Sequence, residues 1–399
     1  MNENNLPSTK ERKKHRVPLW VCFMSIALAV IVAVSGTLAV LYFTPIGKIA
    51  IKLKEVDLLV NDDFIGEIDY DTVDESILSG YIKALDDKYA FYEAPEDAEA
   101  VADSFEGNSS GIGVTVFYNT DEKSLQIYRV DLGGPADKAG VKTGDRIIAI
   151  DGEKVSQLGY NKSVKAIKKN IGDTAQITLK RGSEEITVTV EYKDFVRQTV
   201  YAHIVKDIGY MCITSFNEAT VEQFNIALDE FLEKNVKGLV FDLRDNGGGT
   251  VDSVCEILDR LVGKCNLMTV EYADGTKSIT HKSDQNEIDL PMAVITNGAT
   301  ASASELFAAT IRDMDKGVLI GEKTYGKGVM QRTYFLSDGS CVRFTVGLFY
   351  PAGGVNFNEV GLSPDYKVTF TEEQEANRFV LGDSDPYITK AVEVIKGEN

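Results

Sequence analysis

Apolar positions along this chain fall into successive patterns, each predicting a different kind of element. Residues 17–43 form an uncharged run dominated by Val, Ala, Leu and Ile. It exceeds the roughly 20 residues needed to cross a bilayer core. Residues 50–107 turn polar and amphipathic; across 74–85 the apolar positions recur three and four apart, the period of a helix with one covered face. Gly80 is the weak position in that pattern. From Gly111 to about Tyr192, short β-rich runs at 113–117, 125–130, 146–150, 175–179 and 186–190 predict strands separated by turns, with one helix near 161–169. Beyond Gly209, apolar strands at 238–243, 292–296 and 317–321 alternate with helical stretches, one reaching Leu261 and one spanning about 304–314. That alternation predicts an α/β core with a largely parallel sheet.

Turn-forming residues at 107–111 mark a boundary. The expected division is a basic tail (1–16), a transmembrane anchor (17–43), a helical segment (48–107), a mostly-β domain (108–192) and an α/β domain (193–399). The stretch Lys10-Glu-Arg-Lys-Lys-His-Arg16 precedes the apolar run, and the first charge after it is Lys48. This asymmetry predicts a single-pass cell-membrane protein with a cytoplasmic N-terminus and everything after Thr44 outside. A cleaved signal peptide is the alternative. The run is too long for an h-region of about 7–15 residues, and no clear small-x-small site follows.

Composition removes several function classes. A net charge of −19 argues against a nucleic-acid partner, because phosphate contacts need clustered Lys and Arg. Cys22, Cys212, Cys255, Cys265 and Cys341 show no CxxC pair, so they read as mostly free, buried thiols. His15, His203 and His281 are far apart, so neither a metal site nor a Ser-His-Asp triad is expected. No cofactor is expected either.

Working residues of open α/β sheets gather at the carboxyl ends of strands. One such end reads Asp242-Leu-Arg-Asp-Asn-Gly-Gly-Gly249; its glycines can turn sharply and expose N–H groups. The bland alternative is a tight strand-to-helix turn. Another reads Thr296-Asn-Gly-Ala-Thr-Ala-Ser-Ala-Ser-Glu305, a turn of small residues entering a helix, where a serine would be exposed beside free N–H donors. Ser302 and Glu305 also fit a capping box with no chemistry at all. A further one reads Thr324-Tyr-Gly-Lys-Gly-Val-Met-Gln331. A glycine-flanked lysine can act as a base only when neutral, so its pKa must fall from about 10.4. Lys327 could equally be a solvated turn lysine, and Lys323 is its rival.

Together these segments, with Gly111-Ile-Gly-Val114 and Gly134-Pro-Ala-Asp-Lys-Ala-Gly-Val-Lys-Thr-Gly-Asp145 upstream and Tyr350-Pro-Ala-Gly353 and Gly361-Leu-Ser-Pro-Asp365 near the end, resemble the C-terminal processing (tail-specific) peptidases over about residues 50–390. The resemblance implies a crotonase/ClpP-like β/α peptidase core with an inserted, mostly-β PDZ domain. It matches Ser302 to the nucleophile, Lys327 to its base and Gln331 to the glutamine that orients the lysine. Gly248 and Ala303 match the oxyanion-hole donors, although Gly247 stands where many members carry proline. It further implies that Gly111, Ile112, Gly113 and Val114 bind a substrate C-terminus, with Val164 and Ile167 meeting its last side chain. Expected partners are proteins or peptides with free, apolar C-termini and the cell membrane; a homodimer is left open. The competing readings are a membrane-tethered PDZ scaffold with a dead α/β domain and an acyl-transfer or hydratase enzyme on a crotonase-like core.

Overall fold

The computed structural model describes residues 18–284, 286–376 and 381–398. The basic tail at 1–16 lies outside the described residues. The chain divides into two compact units at Asp74 and Glu75.

In the first unit, Leu19–Phe43 is a helix of 25 residues, about 37 Å at 1.5 Å per residue. Trp20, Phe23 and Leu28 along it are more than 60% exposed. Among the described residues it is the one helix long and apolar enough for a membrane span or a signal sequence. Thr44 separates it from the helix Pro45–Asp63. Its Oγ1 accepts the Gly47 N–H at 3.1 Å, and Pro45 fills a first-turn position whose N–H would be unsatisfied anyway.

The second unit contains an open six-stranded sheet in the order Val200–Val205, Ile208–Ile213, Leu239–Asp242, Met292–Thr296, Gly317–Gly321 and Tyr366–Lys367. Its first pair is antiparallel and the rest are parallel. Leu239–Asp242 and Met292–Thr296 are buried at every position, so they read as unbroken apolar runs rather than alternations. Phe241 and Val294 pack with Phe224, Leu258 and Phe307 from the helices Glu218–Glu233, Val251–Leu261 and Ala303–Asp313. Val240, Ala293 and Ile295 face the opposite layer, against Ile388 and Val392 of the helix Pro386–Lys396. The parallel α/β core is as the sequence predicts.

A second, antiparallel sheet was not anticipated. Its long strand Cys341–Tyr350 pairs with Phe91–Glu93, Asn266–Tyr272 and Val329–Phe335, and Lys277–Lys282 extends the edge. Its long strand does alternate, with Val342, Phe344, Val346 and Leu348 on one face and Arg343, Thr345 and Gly347 on the other, the period of a half-exposed strand.

The mostly-β module is an antiparallel sheet of Val114–Asn119, Ser124–Val130, Arg146–Ile150, Thr174–Arg181 and Glu184–Glu191 around its own core of Leu125, Ile127, Ile147, Ile177 and Leu179. Its helix, Val155–Ile167, begins earlier than expected and kinks at Gly159. The expected turn at 107–111 is a helix stop followed by a strand. Gly107 closes Pro95–Glu106 in a left-handed conformation, and Asn108–Gly111 then pairs with Lys193–Val196 at the far end of the module.

Candidate active site

The turn after Met292–Thr296 is stitched to its neighbour before it reaches Ser302. Thr300 Oγ1 donates to the Leu243 carbonyl at 2.8 Å, and the Ala301 N–H donates to the Asn246 carbonyl at 3.1 Å. Ser302 then adopts φ 59° and ψ −120°. That conformation costs an L-residue on the order of 1–3 kcal/mol and persists only where surroundings impose it. Such a strained strand-to-helix corner lifts a serine hydroxyl clear of the sheet. The helix Ala303–Asp313 starts immediately after it, and no hydrogen bond among the described residues takes up the Ala303 N–H.

The glycine loop lies directly against this corner. A Cβ on Gly248 (φ 104°) would stand 2.9 Å from Ser302 Cβ, Ala301 O and Ala303 N, and one on Gly249 would stand 1.9 Å from Phe216 O. No side chain fits at either position. Gly248 is therefore adjacent to Ser302, but its N–H donates to Asn246 Oδ1 at 2.9 Å, while Asn246 Nδ2 donates to the Ile213 carbonyl. In this state Asn246 occupies one of the expected oxyanion donors.

Lys327 is half-buried between the buried glycines Gly326 and Gly328, whereas Lys323 is exposed. Its Nζ lies 4.2 Å from the centre of the Tyr89 ring. Burial and the Arg343 charge push its pKa down to about 8, with Lys88 adding to the fall and Asp87 and Glu305 opposing it. Burial works against ionised Asp87 as well, yet the N–H groups of Thr345 (2.7 Å) and Tyr89 (2.9 Å) hold its pKa below the ordinary value.

Glu305 joins the serine corner to the lysine loop. It is fully buried. Oε2 accepts the N–H groups of Ser302 (2.9 Å) and Lys327 (2.7 Å); Oε1 accepts the Gly326 N–H (2.7 Å) and the Thr324 hydroxyl (2.5 Å). The capping box expected from sequence is thus half of what Glu305 does. Its remaining three hydrogen bonds, from both oxygens, fix a segment some twenty residues away, which spacing alone could not disclose.

Ser302, Lys327, Gly247, Gly248 and Gly249 line one cleft of about 590 Å³, together with Ser109, Ser110, Arg197 and Arg343. No hydrogen bond joins the Ser302 hydroxyl to Lys327 Nζ. Gln331 Nε2 donates to Val329 O and Thr345 Oγ1, both at 3.2 Å, and no hydrogen bond joins it to Lys327. Tyr89, Asp87, Asn246 and Arg343 were missed, since nothing in one sequence ties residue 89 or 343 to residue 327.

A second groove, of about 450 Å³, is lined by Gly111, Ile112, Gly113, Val114, Val116, Val164 and Ile167. The carbonyls of Ile112 and Gly113 accept the N–H groups of Ala136 and Asp131, which fixes the loop. Ile112 and Ile167 are also buried in the module's core, while Val164 is half-buried.

Comparison with known proteins agrees with this architecture. The model for peptidase family S41 matches residues 207–368, and that for the PDZ domain matches residues 110–192. The chain is 32% identical over 321 residues to the carboxy-terminal processing protease CtpA of Bacillus subtilis (strain 168), covering 79% of this chain and 68% of that protein. It is 30% identical to the chloroplastic C-terminal processing peptidase of Tetradesmus obliquus, covering 72% and 66%. Among solved structures, the photosystem II D1 C-terminal processing protease superposes with a TM-score of 0.51 at 26% identity, covering 85% of this chain and 92% of that one. By this likeness to proteases that carry the same peptidase and PDZ modules, the chain belongs to the carboxy-terminal processing proteases of peptidase family S41.

Proposed function

We propose that this protein is a membrane-anchored serine endopeptidase in which Ser302 attacks the peptide carbonyl and Lys327 accepts its proton. The observation that carries this reading is the strained Ser302 corner sharing a cleft with a half-buried lysine whose pKa is near 8, the two held by one buried glutamate. A lysine of that pKa is partly neutral at physiological pH, the condition for general-base work. An acyl-enzyme forms on Ser302 and is hydrolysed by water. Ala303 N–H supplies one oxyanion donor; Gly248 N–H becomes the second once it leaves Asn246, each worth a few kcal/mol in such sites. In the resting state Lys327 sits by Tyr89, so bringing the dyad into hydrogen-bond range is part of activation.

Substrates are selected by their C-termini. Glycine-flanked N–H groups at 111–114 suit a terminal carboxylate, and an extended peptide adds as a strand beside Val114–Asn119. The apolar helix Leu19–Phe43 would tether the enzyme, with the N-terminus cytoplasmic and the catalytic unit outside. One unfolded substrate is compared with the same chain ending in an amide or in Asp-Asp. The free apolar terminus is cleaved fastest; equal rates for all three exclude carboxylate capture as the selection step.

A further inference from the structure

The cleft around Ser302 has a charge opposite to that of the whole molecule. The chain has 61 acidic and 42 basic residues. Yet Arg197, Lys327 and Arg343 line the cleft, with Asp103 the one acid among the lining residues. Two of those cations already have work. Arg197 contacts Ser109 Oγ at 3.2 Å and Asp131 at 3.3 Å, and Lys327 is the proposed base. Arg343 acts on Lys327 through space, by its charge, and among the described residues has no bonded partner of its own. It projects from Cys341–Tyr350, with Phe91 and Thr333 opposite it on the flanking strands. Its guanidinium lies 5.8 Å from the centre of the Phe91 ring. Among the described residues no carboxylate pairs with it and no acceptor hydrogen-bonds to it. A guanidinium offers five donors in a rigid fork. Holding one half out of water without an acceptor is unfavourable, and burial accordingly lowers the pKa of Arg343.

We propose that Arg343 is a specificity residue that reads the side-chain carboxylate of an Asp or Glu lying beside the scissile bond of the substrate. The proposal rests on the peptidase reading of the cleft and adds the chemistry of the segment it accepts. A carboxylate matches the guanidinium fork with two parallel hydrogen bonds, which a lysine cannot reproduce. The side chain is favoured over the chain end because the groove suited to a terminal carboxylate, at Gly111 to Val114, does not include Arg343. The substrate would thus carry an apolar free terminus for the PDZ module and an acidic residue further up the chain for the cleft.

The test uses fluorescent peptide pairs that share one C-terminal sequence and differ by Glu against Gln, walked along the peptide. Binding is measured by anisotropy on the full chain carrying S302A, and cleavage of the same pairs is timed with Ser302 intact. At one position the Glu peptide binds more tightly by roughly 10- to 100-fold, the range for a charge-assisted hydrogen bond. That ratio falls close to one in R343Q, is only partly retained in R343K, and turns in favour of a Lys peptide in R343E. Equal binding of Glu and Gln at every position overturns the proposal, as does a ratio that survives R343Q. Amidating the peptide terminus leaves the Glu preference in place; its loss would mean that the arginine reads the chain end, and would overturn the proposal too. Intact Glu preference in binding without cleavage of any peptide would instead remove the peptidase reading while supporting the carboxylate site.

Discussion

Lys327 sits in a balance of neighbours whose signs can be tested separately. Burial and the Arg343 charge lower its pKa to about 8, and Asp87 pulls the other way. If the neutral amine is the base, kcat/KM rises with pH and levels off above an inflection near 8. R343Q removes a positive neighbour, so its inflection moves to higher pH. D87N removes a negative one, so its inflection moves to lower pH, although its single amide oxygen can replace only one of the two oxygens that accept the Thr345 and Tyr89 N–H groups. At pH 7 an upward displacement of one unit lowers the rate about tenfold, and a downward one raises it about fivefold. Profiles that move in the same direction, or not at all, contradict the assignment. The sequence singled out Ser302, Lys327 and the glycines because each sits in a short stretch of unusual composition. It was silent on Tyr89, Asp87 and Arg343, which act across space from ordinary-looking segments.

Between elements, the decisive joint is Glu305, because the helix Ala303–Asp313 and the loop around Lys327 have a common anchor in its carboxyl group. In E305Q one oxygen becomes an amide NH2 group, and at least two of the four donors lose their acceptor in a buried place. Unfolding in denaturant should show a loss of about 3 kcal/mol, with turnover falling further because both the serine corner and the lysine loop slacken. An unchanged unfolding midpoint would show that the joint is dispensable. The parallel strands were legible because full burial leaves an apolar run, and the PDZ strands because β-rich runs there alternate with turns. The antiparallel sheet around Cys341–Tyr350 lay outside the expected elements, although Val342, Phe344, Val346 and Leu348 alternate with Arg343, Thr345 and Gly347; what the sequence could not show is which distant strands pair with it. The helix starting at Val155 is legible only from about residue 161, because Gly159 interrupts its pattern.

On the scale of the whole molecule, location and catalysis are expected to be separable. A chain beginning at Thr44 should be soluble, folded and active, and protease shaving of intact cells should remove the large unit from the full-length protein. A fragment that needs detergent to stay in solution, or a full-length chain protected from shaving, would contradict the arrangement. The central claim, that Ser302 is a nucleophile activated by Lys327, is tested most directly by fluorophosphonate labelling of that fragment, with the adduct mapped by mass spectrometry across pH. The account predicts one adduct, on Ser302, whose rate of formation climbs through about pH 8 and which is lost in Lys327→Ala but kept in Lys323→Ala. An adduct on another residue, or labelling at Ser302 that is indifferent to the loss of Lys327, would contradict it.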